Sequence, residues 1–233
     1  MSNLLSYFTE NAYFGVFLTV GLYYLFKQLS GKITFPLFHP ILLTVATLIG
    51  LLVLFEIPYA DYAPSGDMIT WFLTPATVCF AIPLYRQVKV LKKNAAAILV
   101  SIFMGSLASV GGILLMAKWF HLPLKIYASL APKSVTTPIA TGIAEELGGV
   151  VGCTVIAVIF TGILGAIFAS TLRKLLRLKS EIAWGLATGT SSHAIGTSSI
   201  MAESEVAGAM GSLSIALAGI MTVAIVPLFS AFY

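Results

Sequence analysis

Continuous apolar runs, separated by short polar or charged connectors, set the pattern of this chain. Runs at Ala12–Phe26, Ile41–Phe55, Met68–Tyr85, Ala95–Ala117, Val150–Leu172 and Val206–Phe229 have the length and hydropathy of membrane-spanning helices. The first run can extend back to Leu4 and ends at Lys27, and the second follows a Phe35-Pro36…His39-Pro40 bracket. Glu56, Asp61 and Asp67 predict an acidic loop with Pro64-Ser65-Gly66 as its turn. Pro75 and Pro83 interrupt the third run, where Thr74, Pro75 and Thr77 either add a wall to a site or mark a plain kink. Gly105, Ser109 and Gly112 share one face of the fourth run, as Gly208, Ser212 and Ala216 do in the last; both faces suit close helix packing.

Two stretches do not fit this pattern. Ile126–Gly149, IYASLAPKSVTTPIATGIAEELGG, carries Pro132, Pro138, Lys133 between them, and hydroxyls at Ser129, Ser134, Thr136 and Thr137. Proline removes an amide hydrogen and clashes with the preceding turn, so an intact helix is not expected. Broken backbone and a cation at membrane depth are tolerated where they are buried in protein or line a wet cavity. Two half-helices meeting at a polar tip are expected over about 126–149. Trp184–Met201 is similarly too polar at its centre for a lipid-facing span, with Gly189, Ser191, Ser192, His193, Gly196 and Thr197. A second hairpin is expected over about 184–201.

Composition supports a polytopic helical membrane protein. Hydrophobic residues form 58% of 233 and charged residues only 9%, against about 25% charged in soluble domains. The mean hydropathy is +0.98. Because the apolar runs do not alternate, helices are expected rather than a barrel. A single integral membrane domain over 1–233 is expected. The net charge of +4 does not call for nucleic acid, since ten of the thirteen Lys and Arg residues fall in connectors at 27–32, 86–93 and 173–179. Placing all three in the cytoplasm puts both termini outside and forces 126–149 to enter and leave from the outer face. The second hairpin then enters from the inner face, which yields about six spans and two opposed hairpins, as in inverted-repeat transporters. Cys79 and Cys153 are expected as buried thiols without a disulfide, and MSNLLSYFTEN lacks the basic region of a cleaved signal peptide.

Each candidate residue has two readings. Lys133 either holds a substrate carboxylate or pairs structurally with Glu145 or Glu146. Ser134, Thr136, Thr137, Ser191, Ser192 and Thr197 either contact substrate oxygens or satisfy carbonyls freed by the breaks. Pro75, Pro83, Pro132, Pro138, Gly189 and Gly196 are structural breaks. His193 either couples protons or braces its tip. Glu145 and Glu146 carry protons if buried and form a solvated pair if not. No HExxH, P-loop or paired catalytic carboxylates stand out, so neither metal, cofactor nor enzyme chemistry is expected.

The runs SLAPKSVTTPIA (Ser129–Ala140) and GLATGTSSHAIGT (Gly185–Thr197), with LTPATVCFAIPLY, FTGILGAIF and EVAGAMGSLS, resemble the LrgB/CidB family over nearly the whole chain. The family includes antiholin-like or holin-like modulators of murein hydrolases and lysis. It also includes a plastid exchanger of glycolate and glycerate, and bacterial systems implicated in moving pyruvate and related acids. The resemblance implies a bacterial cytoplasmic-membrane protein with a small LrgA/CidA-type partner. It also implies carriage of small carboxylates (pyruvate, lactate, glycolate or glycerate), with lysis regulation as the alternative. A homodimer is the expected assembly of the chain itself. Many relatives read GTAR where this chain has Gly196-Thr197-Ser198-Ser199, so the cation expected at Ser199 is missing and the weight falls on Lys133.

Overall fold

The computed structural model describes residues 11–30, 40–72, 75, 78–79, 81–86 and 88–233. Helices joined by short turns make up the described residues, and no strand occurs among them. Ten helices follow in order: α1 Ala12–Ser30, α2 Pro40–Leu54, α3 Tyr59–Thr70, α4 Ala81–Arg86, α5 Val88–Trp119, α6 Leu124–Leu130, α7 Thr137–Glu146, α8 Val151–Leu175, α9 Glu181–Met201 and α10 Glu205–Ser230. They divide between two compact units, Met1–Cys79 and Phe80–Tyr233.

In the first unit α1 packs on α2 and α3. The expected acidic loop is instead helix α3, with Pro64 inside it. The reason is tertiary. Ser65 is buried against Gly15, where a Cβ would lie 2.3 Å from Ser65 Oγ, and Ser65 Oγ donates to Ala12 O at 2.7 Å. Thr19 Oγ1 and Tyr62 OH share a further bond at 2.9 Å. Packing of this face overrides the local turn signal. The expected third span does not run unbroken from Met68, because α3 ends at Thr70 and Trp71 and Phe72 form a turn. Pro75 is helical and exposed; Thr74, Thr77, the 35–39 bracket with His39, and the extension to Leu4 lie outside the described residues.

The second unit is organised by α10. Half of its most apolar window is buried inside the protein, against 28% for α5 and 22% for α8. These three helices are long and apolar enough to cross a membrane; α2 is apolar but only 15 residues long. Pro83 lies within α4. The expected basic loop at 86–93 is largely helical, since Val88–Lys93 opens α5 and the chain kinks at Asn94 (φ −117°, ψ 16°). The thiols are free, Cys79 exposed and Cys153 half-buried, so the expectation of two buried cysteines is not met.

Contacts fix the directions of the helices. Arg86 pairs with Glu205 at 3.6 Å, and Gly111 faces the Phe229 ring, so α5 and α10 run parallel. The indole of Trp184 donates to Ala169 O at 3.3 Å and Gly165 meets Ser192, so the first part of α9 runs against α8. Gly185 meets Ala207 and Gly189 meets Gly211, which makes that same part parallel to α10. Hence α8 is antiparallel to both α5 and α10. The end of α5, the start of α8 and the end of α10 lie together, tied by Tyr127 stacked on Tyr233 at 4.8 Å and by Tyr233 OH donating to Leu122 O.

Candidate functional site

The chain reverses twice within this bundle. The first reversal joins α6 and α7. Ala131–Ser134 form turns, with Lys133 N donating to Leu130 O at 3.1 Å and Val135 N to Pro132 O at 3.3 Å. Pro132 sits in the break itself, whereas Pro138 lies in the first turn of α7 and starts that helix rather than interrupting it. Ser129 closes the base of the hairpin. Its hydroxyl donates to Lys125 O at 2.7 Å and accepts from Val150 N at 2.7 Å.

The second reversal falls at one residue. His193 has φ 43° and ψ −141°, dividing α9 into helices over 181–192 and 194–201. A Cβ on Gly196 would lie 2.5 Å from Ser192 Cβ and 3.2 Å from Thr188 Cγ2. In a straight helix, residues 188 and 196 would be about 12 Å apart; here the second half folds back on the first. Gly189 and Gly196 do not break the helix. They are sites of close approach, to Gly211 and to Ser192 respectively. The His193 ring is buried, with Nε2 3.0 Å from Val158 O on α8. As the donor of that bond, Nε2 carries a proton and the ring braces the reversal.

Both tips reach similar depth from opposite ends. Ser134 Oγ lies 2.9 Å from Ser109 Oγ, and Ser109 is ten residues from the end of α5 at Trp119, about 15 Å. Ser192 meets Gly165, which is ten residues from the end of α8 at Leu175, again about 15 Å. Thr190 packs against Gly105, four residues from Ser109, so the tips are separated by about 6 Å along α5.

They open onto one cleft. Its floor is the first half of α9, its walls are α5 and α8, and the tip between α6 and α7 closes it. Its volume is about 1660 Å³, above the roughly 300–1,000 Å³ common for a small-molecule pocket. Lys133, Ser134, Ser109, Thr190, Ser191 and Ser192 line it around the tips. Lys133 Nζ is 3.3 Å from Ser134 Oγ. Neither Glu145 nor Glu146 pairs with it: both are exposed, and the ion pair found among the described residues is Arg86–Glu205. Thr190 Oγ1 is buried without a hydrogen-bond partner among the described residues, a costly state for a hydroxyl. No group of His, Cys, Asp and Glu suited to a metal ion occurs among the described residues.

Other predicted contacts do not converge here. Thr136 precedes α7 and Thr137 opens it; the Thr137 carbonyl accepts from Thr141 Oγ1 at 3.0 Å, and neither Thr136 nor Thr137 lines the cleft. Thr197 is fully buried against Gly211. Ser199 Oγ donates to Gly196 O at 2.7 Å. Ser109 and Thr190 are the residues that sequence reasoning missed. In the sequence Ser109 reads only as part of a small packing face, and Thr190 carries no signal beyond its place in a polar run.

A family model described as "LrgB-like family" matches residues 19–232. "Uncharacterized protein YwbG" of Bacillus subtilis (strain 168) is 41% identical over 217 residues, covering 93% of this chain and 96% of that protein. "Antiholin-like protein LrgB" of the same strain is 36% identical over 225 residues, 95% and 96% of the two chains. The protein of that name from Bacillus cereus (strain B4264) is 37% identical over 228 residues, 96% and 98% of the two chains. No solved structure matches the chain.

Proposed function

The chain belongs to the LrgB-like family of membrane proteins, and from that premise we propose that it carries small monocarboxylates or hydroxycarboxylates across the membrane by alternating access. The acids meant are of the pyruvate, lactate, glycolate and glycerate class. The observation that carries the reading is Lys133. Among the described residues this cation has no carboxylate partner, and it lies at the closed end of a cleft that both tips share. An unpaired intramembrane charge is expensive, and a substrate anion relieves that cost. Ser134, Ser109, Ser191 and Ser192 then offer hydroxyls to the carboxylate and to a substrate hydroxyl or keto oxygen. His193 serves as a brace rather than a proton carrier, and Glu145 and Glu146 as solvated groups.

On this reading the two reversals are re-entrant hairpins entered from opposite faces, within a single membrane domain of about six spans. The basic residues at 86–93 and 173–179 lie in the cytoplasm and both termini outside, in a bacterial cytoplasmic membrane. A small LrgA/CidA-type protein and a second copy of the chain are the proposed partners. The protein is not an enzyme on this account. Single cysteines near Lys125 and Gly149 should both label from outside and one near Lys92 from inside; opposite faces for the first two would remove the hairpin.

Sealed vesicles containing the protein should accumulate labelled short carboxylates, with competition among the four acids. Vesicles that accumulate none of them, although the protein is folded, would overturn the transport reading. A second reading, antiholin-like or holin-like control of murein hydrolases and lysis, draws on the names of the relatives. It expects altered autolysis on expression that is indifferent to the charge at Lys133.

A further inference from the structure

The cleft carries a second cation at its other end. Leu172 and Arg173 continue its α8 wall beyond Phe168 and Ala169, opposite Ser180, Ala183 and Trp184. The Arg173 guanidinium lies over the Trp184 ring, 4.1 Å from its centroid. Trp184 is itself 1% exposed and fixed by its indole bond to Ala169 O. A planar guanidinium held on an aromatic face loses little freedom, and its in-plane N–H fork remains available for a carboxylate. Ser170, Lys174, Arg177, Lys179 and Glu203 surround a smaller pocket that also touches Arg173. Glu203 accepts from Ser170 Oγ at 2.5 Å and forms no ion pair with Arg173; four basic side chains against this one carboxylate leave the local charge positive.

We propose that Arg173, seated on Trp184, is a second carboxylate-binding station at the basic end of the cleft, occupied in turn with Lys133. The inference rests on the carboxylate reading above and adds a place where the anion is gathered or released. Position along α8 separates the two stations. Ser192, at the second tip, is level with Gly165, and Arg173 is eight residues further along, about 12 Å. One short acid cannot span that distance, so the stations act in sequence. Between them Thr188 and Ser191 supply polar wall.

The test uses the full-length protein in nanodiscs with its indole nitrogens labelled with nitrogen-15. Trp71, Trp119 and Trp184 give three indole signals, and Trp184→Phe assigns the relevant one. Pyruvate, lactate, glycolate and glycerate are titrated in turn against chloride at equal ionic strength. At least one acid should shift the Trp184 signal saturably while chloride does not, and Lys133→Met should leave that response intact. Arg173→Gln should abolish it, and Arg173→Lys should retain it with about tenfold weaker affinity, which guards against misfolding as the cause. No saturable response to any acid, an equal response to chloride, or a response surviving Arg173→Gln would overturn the proposal. If the response is as expected but vesicles take up no acid, the transport reading falls and the station stands. If uptake depends on Lys133 while Trp184 is silent, the station falls alone.

Discussion

The two hairpins reverse the chain at similar depth by different means, and the difference separates charge from architecture. In the first, proline and a run of turns from Ala131 to Ser134 make the break. The reversal is several residues wide and projects Lys133 and Ser134 into the cleft. In the second, one residue at positive φ makes the break. Its helix is closely packed at several points: Gly185 and Gly189 against the α10 backbone, Gly196 against Ser192, and the His193 ring against Val158 O. A tip several residues wide can present a cation and exchange its partner, even with Ala131, Ser134 and Val135 buried around it. A one-residue reversal held between two helices provides a fixed surface, here Ser191 and Ser192, against which such a tip can work.

The contrast can be broken at its packed side most forcefully. Gly185→Val places a Cβ where the nearest atom, Ala207 O, would be 2.2 Å away, so α9 and α10 must separate. We expect a loss well beyond the ~1–3 kcal/mol common for overpacking, read as a collapse in the fraction surviving heat in detergent. Next in size is Ser129→Ala at the base of the first hairpin. It leaves Val150 N without its acceptor, and about 1–3 kcal/mol of stability should be lost. His193→Gln should keep a donor near Val158 O, lowering stability by less than His193→Ala while leaving carboxylate affinity within about twofold. A tenfold loss of affinity in a stable His193→Gln protein would place the ring in the site after all. The smallest effect is expected at Gly142 in α7, where an added Cβ meets nothing within 4 Å. Gly142→Ala should stabilise by up to about 1 kcal/mol, and a loss instead would mean that this face of α7 meets a neighbour.

Much of this was legible without coordinates. Pro132, Pro138 and Lys133 within one apolar stretch announced a break that must be sheltered, and the break lies there. The glycine- and serine-rich run at 184–201 announced the second reversal, but not its hinge. Glycine is the residue expected at positive φ, yet His193 adopts it, stabilised by a contact to Val158 that is 35 residues away in sequence. The helix at Tyr59–Thr70 was hidden for a similar reason, since Pro64-Ser65-Gly66 reads as a turn until Ser65 is seen against Gly15. Ser109 and Thr190 entered the site through their neighbours across the cleft, information that local sequence does not carry. Thr136, Thr137 and Thr197 had the right chemistry in the right motif and point elsewhere.

The central claim is that Lys133 holds a carboxylate where the two tips meet. Lys133→Met keeps the length and apolar stem and removes the charge, so the fold should survive. Equilibrium binding of labelled pyruvate, lactate, glycolate and glycerate to purified wild-type and Lys133→Met protein tests this most directly. The site is retained only if at least one acid binds the wild type and its affinity falls by about a hundredfold or more in the folded variant, a loss on the order of 3 kcal/mol. Wild-type affinity in Lys133→Met, at normal expression and thermal stability, would contradict the account and leave lysis regulation as the better reading.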